Sequence, residues 1–127
     1  MILIVSLEDD QVCLKFYHSN CLVQMGTREM VAGLDKLLKK EETSLKNITG
    51  ILVFFGNLSF SASRQAAAVL NTLVFVQKIK IAAFHGCPDK QTIEKGLKIL
   101  AGRKIGNYIK PRYDRPPNIT QPRKLTN

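Results

Sequence analysis

Ile2-Leu3-Ile4-Val5-Ser6-Leu7, then Glu8-Asp9-Asp10-Gln11, then Val12-Cys13-Leu14-Lys15-Phe16-Tyr17 is the stretch whose reading decides the fold. Its first six residues form a nearly continuous apolar run, the pattern of a strand buried on both faces, and are expected to be the central strand. The four polar residues after it have hairpin length. Val12, Leu14 and Phe16 alternate with Cys13, Lys15 and Tyr17, so a second strand should run antiparallel to the first. His18-Ser19-Asn20 turns the chain again, and Cys21 to Met25 supplies a third strand before Gly26 breaks it.

Beyond this meander the period changes. Thr27 is a plausible N-cap for a helix from Arg28 to about Glu41, with Glu29 favoured in its first turn by the helix dipole. Met30, Leu34, Leu37 and Leu38 share one face, which Val31 widens. Ser44 to Gly50 reads as a loop into a buried strand, Ile51 to Phe55, that Gly56-Asn57 ends. A second helix, from about Ser61 to Val76, is apolar on more than one face. That pattern suits a helix packed on a sheet on one side and on another helix, from the same chain or a partner, on the other. Ile79 to Phe84 gives a fifth strand. Pro88-Asp89 starts a final helix, Thr92 to about Ala101, with Ile93, Leu97 and Leu100 on one face. The order βββαβαβ then α predicts an α/β mixed sheet with helices packed over it, the order of a ribonuclease-H-like lobe.

The chain has 127 residues, enough for one core, and a net charge of +9. From Gly102 to Asn127 seven basic residues oppose one acid, so two thirds of the excess lies in that stretch. Four of the five prolines, Pro111, Pro116, Pro117 and Pro122, fall there too. The division expected is a lobe over residues 1–101 and a basic extension over 102–127. No apolar run approaches the roughly 20 residues that span a bilayer, and the opening residues lack the features of a secretory leader, so a cytoplasmic location is expected. Cys13, Cys21 and Cys87 form no CxxC pair and read as reduced thiols rather than a disulfide framework or zinc site.

Catalytic patterns are weak. Glu8, Asp9 and Asp10 share one turn and read better as a solvated hairpin than as a metal site of a nuclease. His18 and His85 have no neighbours at metal-ligand spacing, and neither G-x-S-x-G nor a Cys–His pairing can be assembled. Gly56-Asn57-Leu58-Ser59-Phe60-Ser61-Ala62-Ser63-Arg64 leads from a strand to a helix N-terminus, where backbone N–H groups can cradle an anion. With one glycine it is not a phosphate loop, and a helix cap by Ser59 or Ser61 is the simpler reading. No cofactor is expected.

Several short words in this order resemble the TsaB (YeaZ) family. They are Lys36-Leu37-Leu38, Ser44-Leu45-Lys46-Asn47-Ile48, the strand at 51–55, and Gly56 through Arg64, where Ser59-Phe60 and Arg64 match the family's Gly-Pro-Gly-Ser-Phe-Thr-Gly-x-Arg. Pro111-Arg112-Tyr113-Asp114-Arg115-Pro116-Pro117 is similar to the family's Pro-x-Tyr-x-Arg-x-Pro close. Ser6 stands where the family has an Asp, and Asn57, Leu58, Ser61 and Ser63 replace Pro, Gly, Thr and Gly. The family's second lobe has no counterpart here.

The resemblance implies an actin-like ATPase superfamily lobe and a non-catalytic role in making threonylcarbamoyladenosine at position 37 of tRNA. It further implies pairing with a TsaD-like catalytic subunit through the two helices and association with a TsaE-like ATPase; the apolar helix faces themselves invite homodimers when the partner is absent. Carried over, the partner surface comprises Met30, Val31, Leu34, Leu38, Arg64, Ala67, Leu70 and Val74. Candidate tRNA contacts are Lys110, Arg112, Tyr113, Arg115, Arg123 and Lys124. An independent RNA-binding module acting through the basic extension is the alternative, and a strap on the lobe or a solvated terminus are further readings of that segment.

Overall fold

A computed structural model describes residues 1–110. Five strands form one mixed sheet: β1 (Ile2–Glu8), β2 (Gln11–Phe16), β3 (Val23–Gly26), β4 (Gly50–Phe55) and β5 (Lys80–His85), in the order β3-β2-β1-β4-β5. β1 is central, as its apolar run predicts. It pairs antiparallel with β2, Val5 opposite Leu14, and parallel with β4, Val5 opposite Val53. The hairpin closes in two residues, Asp9 and Asp10, both with left-handed backbone at φ 53° and 60°. A turn of that hand matches the twist of the strands it joins.

Alternation along the strands divides the core between two faces. Leu3, Val5 and Leu7 of β1, Val12, Leu14 and Phe16 of β2, and Ile51, Val53 and Phe55 of β4 point to one face, covered by α1 (Met30–Lys40) and α2 (Phe60–Gln77). Ile4, Leu52, Phe54 and Ala82 point to the other, where α3 (Lys90–Ala101) lays Leu100, Ile93 and Leu97 against them. α3 therefore buries the stripe read from its sequence. A capping box starts it: Asp89 Oδ1 accepts from the Thr92 amide at 2.8 Å, and Thr92 Oγ1 accepts from the Asp89 amide at 2.9 Å.

One local expectation fails. Thr27 is not a cap for α1; it is buried in a 3-10 turn, Thr27–Glu29, that precedes the helix, and its amide donates to the Asp10 carbonyl at 3.1 Å. Tertiary bonding to the β1–β2 turn takes Thr27 out of the capping role and moves the helix start to Met30. Close packing then holds α1 on β3, where a Cβ at Gly33 would clash with Met25 Sδ.

After α3 the chain bends round the edge strand. The Arg103 side chain donates from Nε to the Ile81 carbonyl of β5 at 3.1 Å. Ile109 then enters the core beside α2, its backbone clasped by Asn71: Nδ2 donates to the Ile109 carbonyl and Oδ1 accepts from its amide, each at 2.9 Å. Residues 102–110 thus cover an edge that would otherwise present backbone groups for pairing.

Candidate partner-binding groove

α2 carries the surface of interest because its composition gives it two apolar sides. Ala62, Ala66, Ala67, Leu70 and Val74 are buried against the sheet. A third of a turn away, Ala68, Val69, Thr72, Leu73 and Val76 face outward, and across from them α1 contributes Val31 and Leu34. Leu45, from the 3-10 turn Leu45–Asn47, closes one end. Together they line an open groove of about 400 Å³ whose walls are almost wholly apolar. Thr72 adds no polar demand, because its hydroxyl donates to the Ala68 carbonyl of its own helix at 2.8 Å.

Exposure is high for large apolar residues of the groove, 66% for Val31 and 61% for Val76, and for Phe75 next to Val76 on α2, 69%. Isolated exposed apolar residues are ordinary, whereas a contiguous patch marks a surface that something covers.

The residues read as partner surface divide across this boundary. Val31 and Leu34 line the groove. Met30, Leu38, Ala67, Leu70 and Val74 are buried beneath the helices, facing the sheet. Arg64 is exposed on the first turns of α2, its guanidinium 5.3 Å from the Phe60 ring. Val69, Leu73, Phe75 and Val76 were not singled out. The signal for them was present, since a helix apolar on two sides must have a second stripe about a third of a turn from the first. Of the candidate tRNA contacts, Lys110 is exposed; Arg112, Tyr113, Arg115, Arg123 and Lys124 lie outside the described residues.

The loop at 56–64 is committed to structure. Ser59 caps α2, its Oγ accepting from the Ala62 amide at 3.1 Å. The Ser59 amide donates to Asp10 Oδ1 at 3.2 Å, so a carboxylate of the chain already lies at this helix start. The Asp9 amide donates to the Asn57 carbonyl at 2.8 Å. Gly56 is required by packing, as a Cβ there would come within 2.8 Å of the Leu7 carbonyl. An anionic ligand arriving here would meet Glu8, Asp9 and Asp10.

Beside that loop, Ser6, Glu8, Gln11, Cys13, Gln24 and Cys87 line a polar hollow. The Cys87 thiol donates to Glu8 Oε1 at 3.5 Å, and that bond together with the Glu8 charge raises its pKa. Burial, with Glu8 second, raises that of Cys13. Both thiols are thereby held away from the thiolate form that attacks electrophiles or binds metals. Among the described residues no three His, Cys, Asp or Glu gather as metal ligands, and no helix is long and apolar enough to cross a membrane.

Comparison with solved structures bears on the fold of this lobe. YeaZ from Pseudomonas aeruginosa matches with a TM-score of 0.55 over 65% of the chain, at 17% sequence identity. The fold is similar to that of YeaZ. A crystal structure of an uncharacterized protein with similarity to peptidase YEAZ, from Pseudomonas aeruginosa, aligns over 65% of the chain with 19% identity and a TM-score of 0.48. The chain spans about two fifths of each, 41% and 43% of their lengths. No protein-family model and no curated protein sequence matches it.

Proposed function

We propose that this chain is a TsaB-type, non-catalytic partner subunit of the machinery that installs threonylcarbamoyladenosine in tRNA, docking on a TsaD-like catalytic subunit through the α1–α2 groove. The observation that carries the reading is the groove itself: two helices, apolar on the side turned away from their own sheet. The words shared with TsaB and the fold similarity to YeaZ, reached by independent routes, support the family. Sheet order 3-2-1-4-5, with an antiparallel meander and two parallel crossovers, supports a ribonuclease-H-like lobe. An α2 N-terminus already bonded to Asp10, beside the acids of the β1–β2 turn, supports a role without phosphate chemistry. Against a cysteine nucleophile stand the raised pKa values of Cys13 and Cys87. In this reading residues 1–101 are the docking lobe, residues 102–127 a basic extension whose described part, 102–110, is strapped to α2 through Ile109, and the setting is the cytoplasm.

The residues expected to matter are Val31, Leu34, Val69, Leu73, Phe75 and Val76, with Met30, Leu38, Ala67, Leu70 and Val74 supporting them from beneath. Mixing the chain with a TsaD-like protein at micromolar concentration should give a 1:1 complex by size-exclusion chromatography with light scattering, and Val31→Glu with Val76→Glu should abolish it. A chain that stays monomeric in the presence of that protein, or a complex indifferent to both substitutions, refutes the reading. Self-association lost with the same substitutions would identify the groove as a homodimer face instead. A TsaE-like ATPase is expected to join only the assembled pair.

A further inference from the structure

Formal charge is distributed unevenly along the chain. Residues 1–77 hold seven Lys or Arg and seven Asp or Glu, whereas residues 78–110 hold eight against two. The fold gathers much of this excess at one end of the sheet. β1, β4 and β5 are parallel, so Ile2, Gly50 and Lys80 lie in register at their starts. Lys78, the left-handed residue that ends α2, and Lys80 enter β5 at that end. α3 finishes there too: Lys80 Nζ donates to the Ala101 carbonyl at 3.1 Å, and Arg103 reaches the Ile81 carbonyl. Lys98 occupies the last turn of α3, and Lys104 follows Arg103. Glu8, Asp9, Asp10 and Asp89 lie at the opposite end of the same strands.

We propose that this basic end, formed by Lys78, Lys80, Lys98, Arg103 and Lys104, is a contact surface for the phosphodiester backbone of a nucleic acid. None of the five has a carboxylate partner among the described residues, where the ion pair that forms is Lys39–Asp35 on α1. Lys80 and Arg103 are steadied by one backbone carbonyl each. An ammonium has three donors and a guanidinium five, so both keep donors for phosphate. The cations come from three segments and are spread over one end of the sheet, which suits an extended polyanion, although Ile99 and Ile105, exposed beside Lys98 and Lys104, leave that surface partly apolar. Tyr108, half exposed four residues after Lys104, adds a ring on which a base can stack. Lys98 on α3 lies across the sheet from the groove, whereas Lys78 directly follows the groove residue Gln77. The inference goes beyond the docking role and does not require it.

Fluorescence anisotropy of the full chain with a labelled tRNA transcript, and with DNA of the same sequence, tests this without any partner protein. Binding should weaken as salt rises. Lys98→Gln with Lys104→Gln should lower affinity about tenfold and reduce the slope of log affinity against log salt by about 0.7–0.9 per lysine. Lys36→Gln on α1 should change nothing, and thermal unfolding should show both variants folded. A second variant, neutralised at Arg112, Arg115, Arg123 and Lys124, separates the lobe from the segment after Lys110. Binding of RNA alone, or of both probes, fits the proposal provided the Lys98/Lys104 variant weakens it. Binding lost only with the second variant, equal loss with Lys36→Gln, absence of binding to either probe, or equal competition by poly-glutamate overturns it. The groove reading survives any of those results.

Discussion

α2 and α3 cover the same sheet from opposite faces, yet they are built differently. α3 has one narrow apolar stripe, a capping box at its start and mostly polar residues elsewhere, with Ile99 its single large apolar residue left outside, so covering the sheet once nearly satisfies it. α2 is apolar nearly all round; Leu70 and Val74 meet the sheet while Phe75 and Val76 remain outside. A helix that only had to complete this core would need one side of that kind. The contrast assigns the second apolar side of α2 to something outside the lobe, and each substitution below breaks or sharpens it.

The largest effect should come from the inner side of α2. Leu70 is 2% exposed in the main core, so Leu70→Ala should cost about 3 kcal/mol, the transfer free energy of the lost atoms plus a cavity. Urea unfolding should show a lower midpoint at unchanged slope. A cost below about 1 kcal/mol would mean that the two sides of α2 are not distinct. Next comes the strap. Asn71→Ala removes two hydrogen bonds to the Ile109 backbone and leaves both groups without their partner, about 1–3 kcal/mol in all. Hydrogen exchange at the Ile109 amide should accelerate; an unchanged rate would show that 102–110 hold to the lobe by other means.

α3 should respond to pH through its cap. Bonds from the Thr92 backbone, then its side chain, lower the Asp89 carboxyl pKa below the ordinary aspartate value. A group with a lowered folded pKa stabilises above its unfolded pKa, about 3.9, and that stabilisation disappears as pH falls through the folded value. Asp89→Asn keeps a cap but cannot titrate. Melting temperatures between pH 6 and pH 3 should therefore fall less in the variant than in the parent; parallel curves would exclude the cap as a source of the acid sensitivity.

Much of this architecture is legible in the sequence because its signals are local. The apolar run of β1, the alternation of β2 and the stripe of Ile93, Leu97 and Leu100 each follow from period alone, and the structure agrees within one to three residues at most element ends. What escaped is nonlocal. Thr27 has the chemistry of an N-cap, and only the fold brings the Asp10 carbonyl to its amide. Asn71 and Ile109 are 38 residues apart, and no pattern links them. The groove was half legible. Periodicity shows that α1 and α2 carry surplus apolar residues, but it cannot say which stripe turns toward the sheet. Period alone therefore does not separate Met30, Ala67, Leu70 and Val74, which face the sheet, from Leu73 and Val76, which line the groove.

The smallest effect on stability is the most informative about α2. Val76 is 61% exposed, and a charge placed there meets solvent rather than the core. Val76→Glu should shift unfolding by no more than about 0.5 kcal/mol, the range of ordinary surface substitutions. It also interrupts the apolar wall of the groove, so a protein seated there would have to bury an unpaired carboxylate, which costs far more than the change costs the free chain. Stability retained with binding lost is the signature of a side that belongs to an interface. Were Val76→Glu instead to destabilise the lobe as Leu70→Ala does, the outer side of α2 would be core, and the contrast with α3 would vanish.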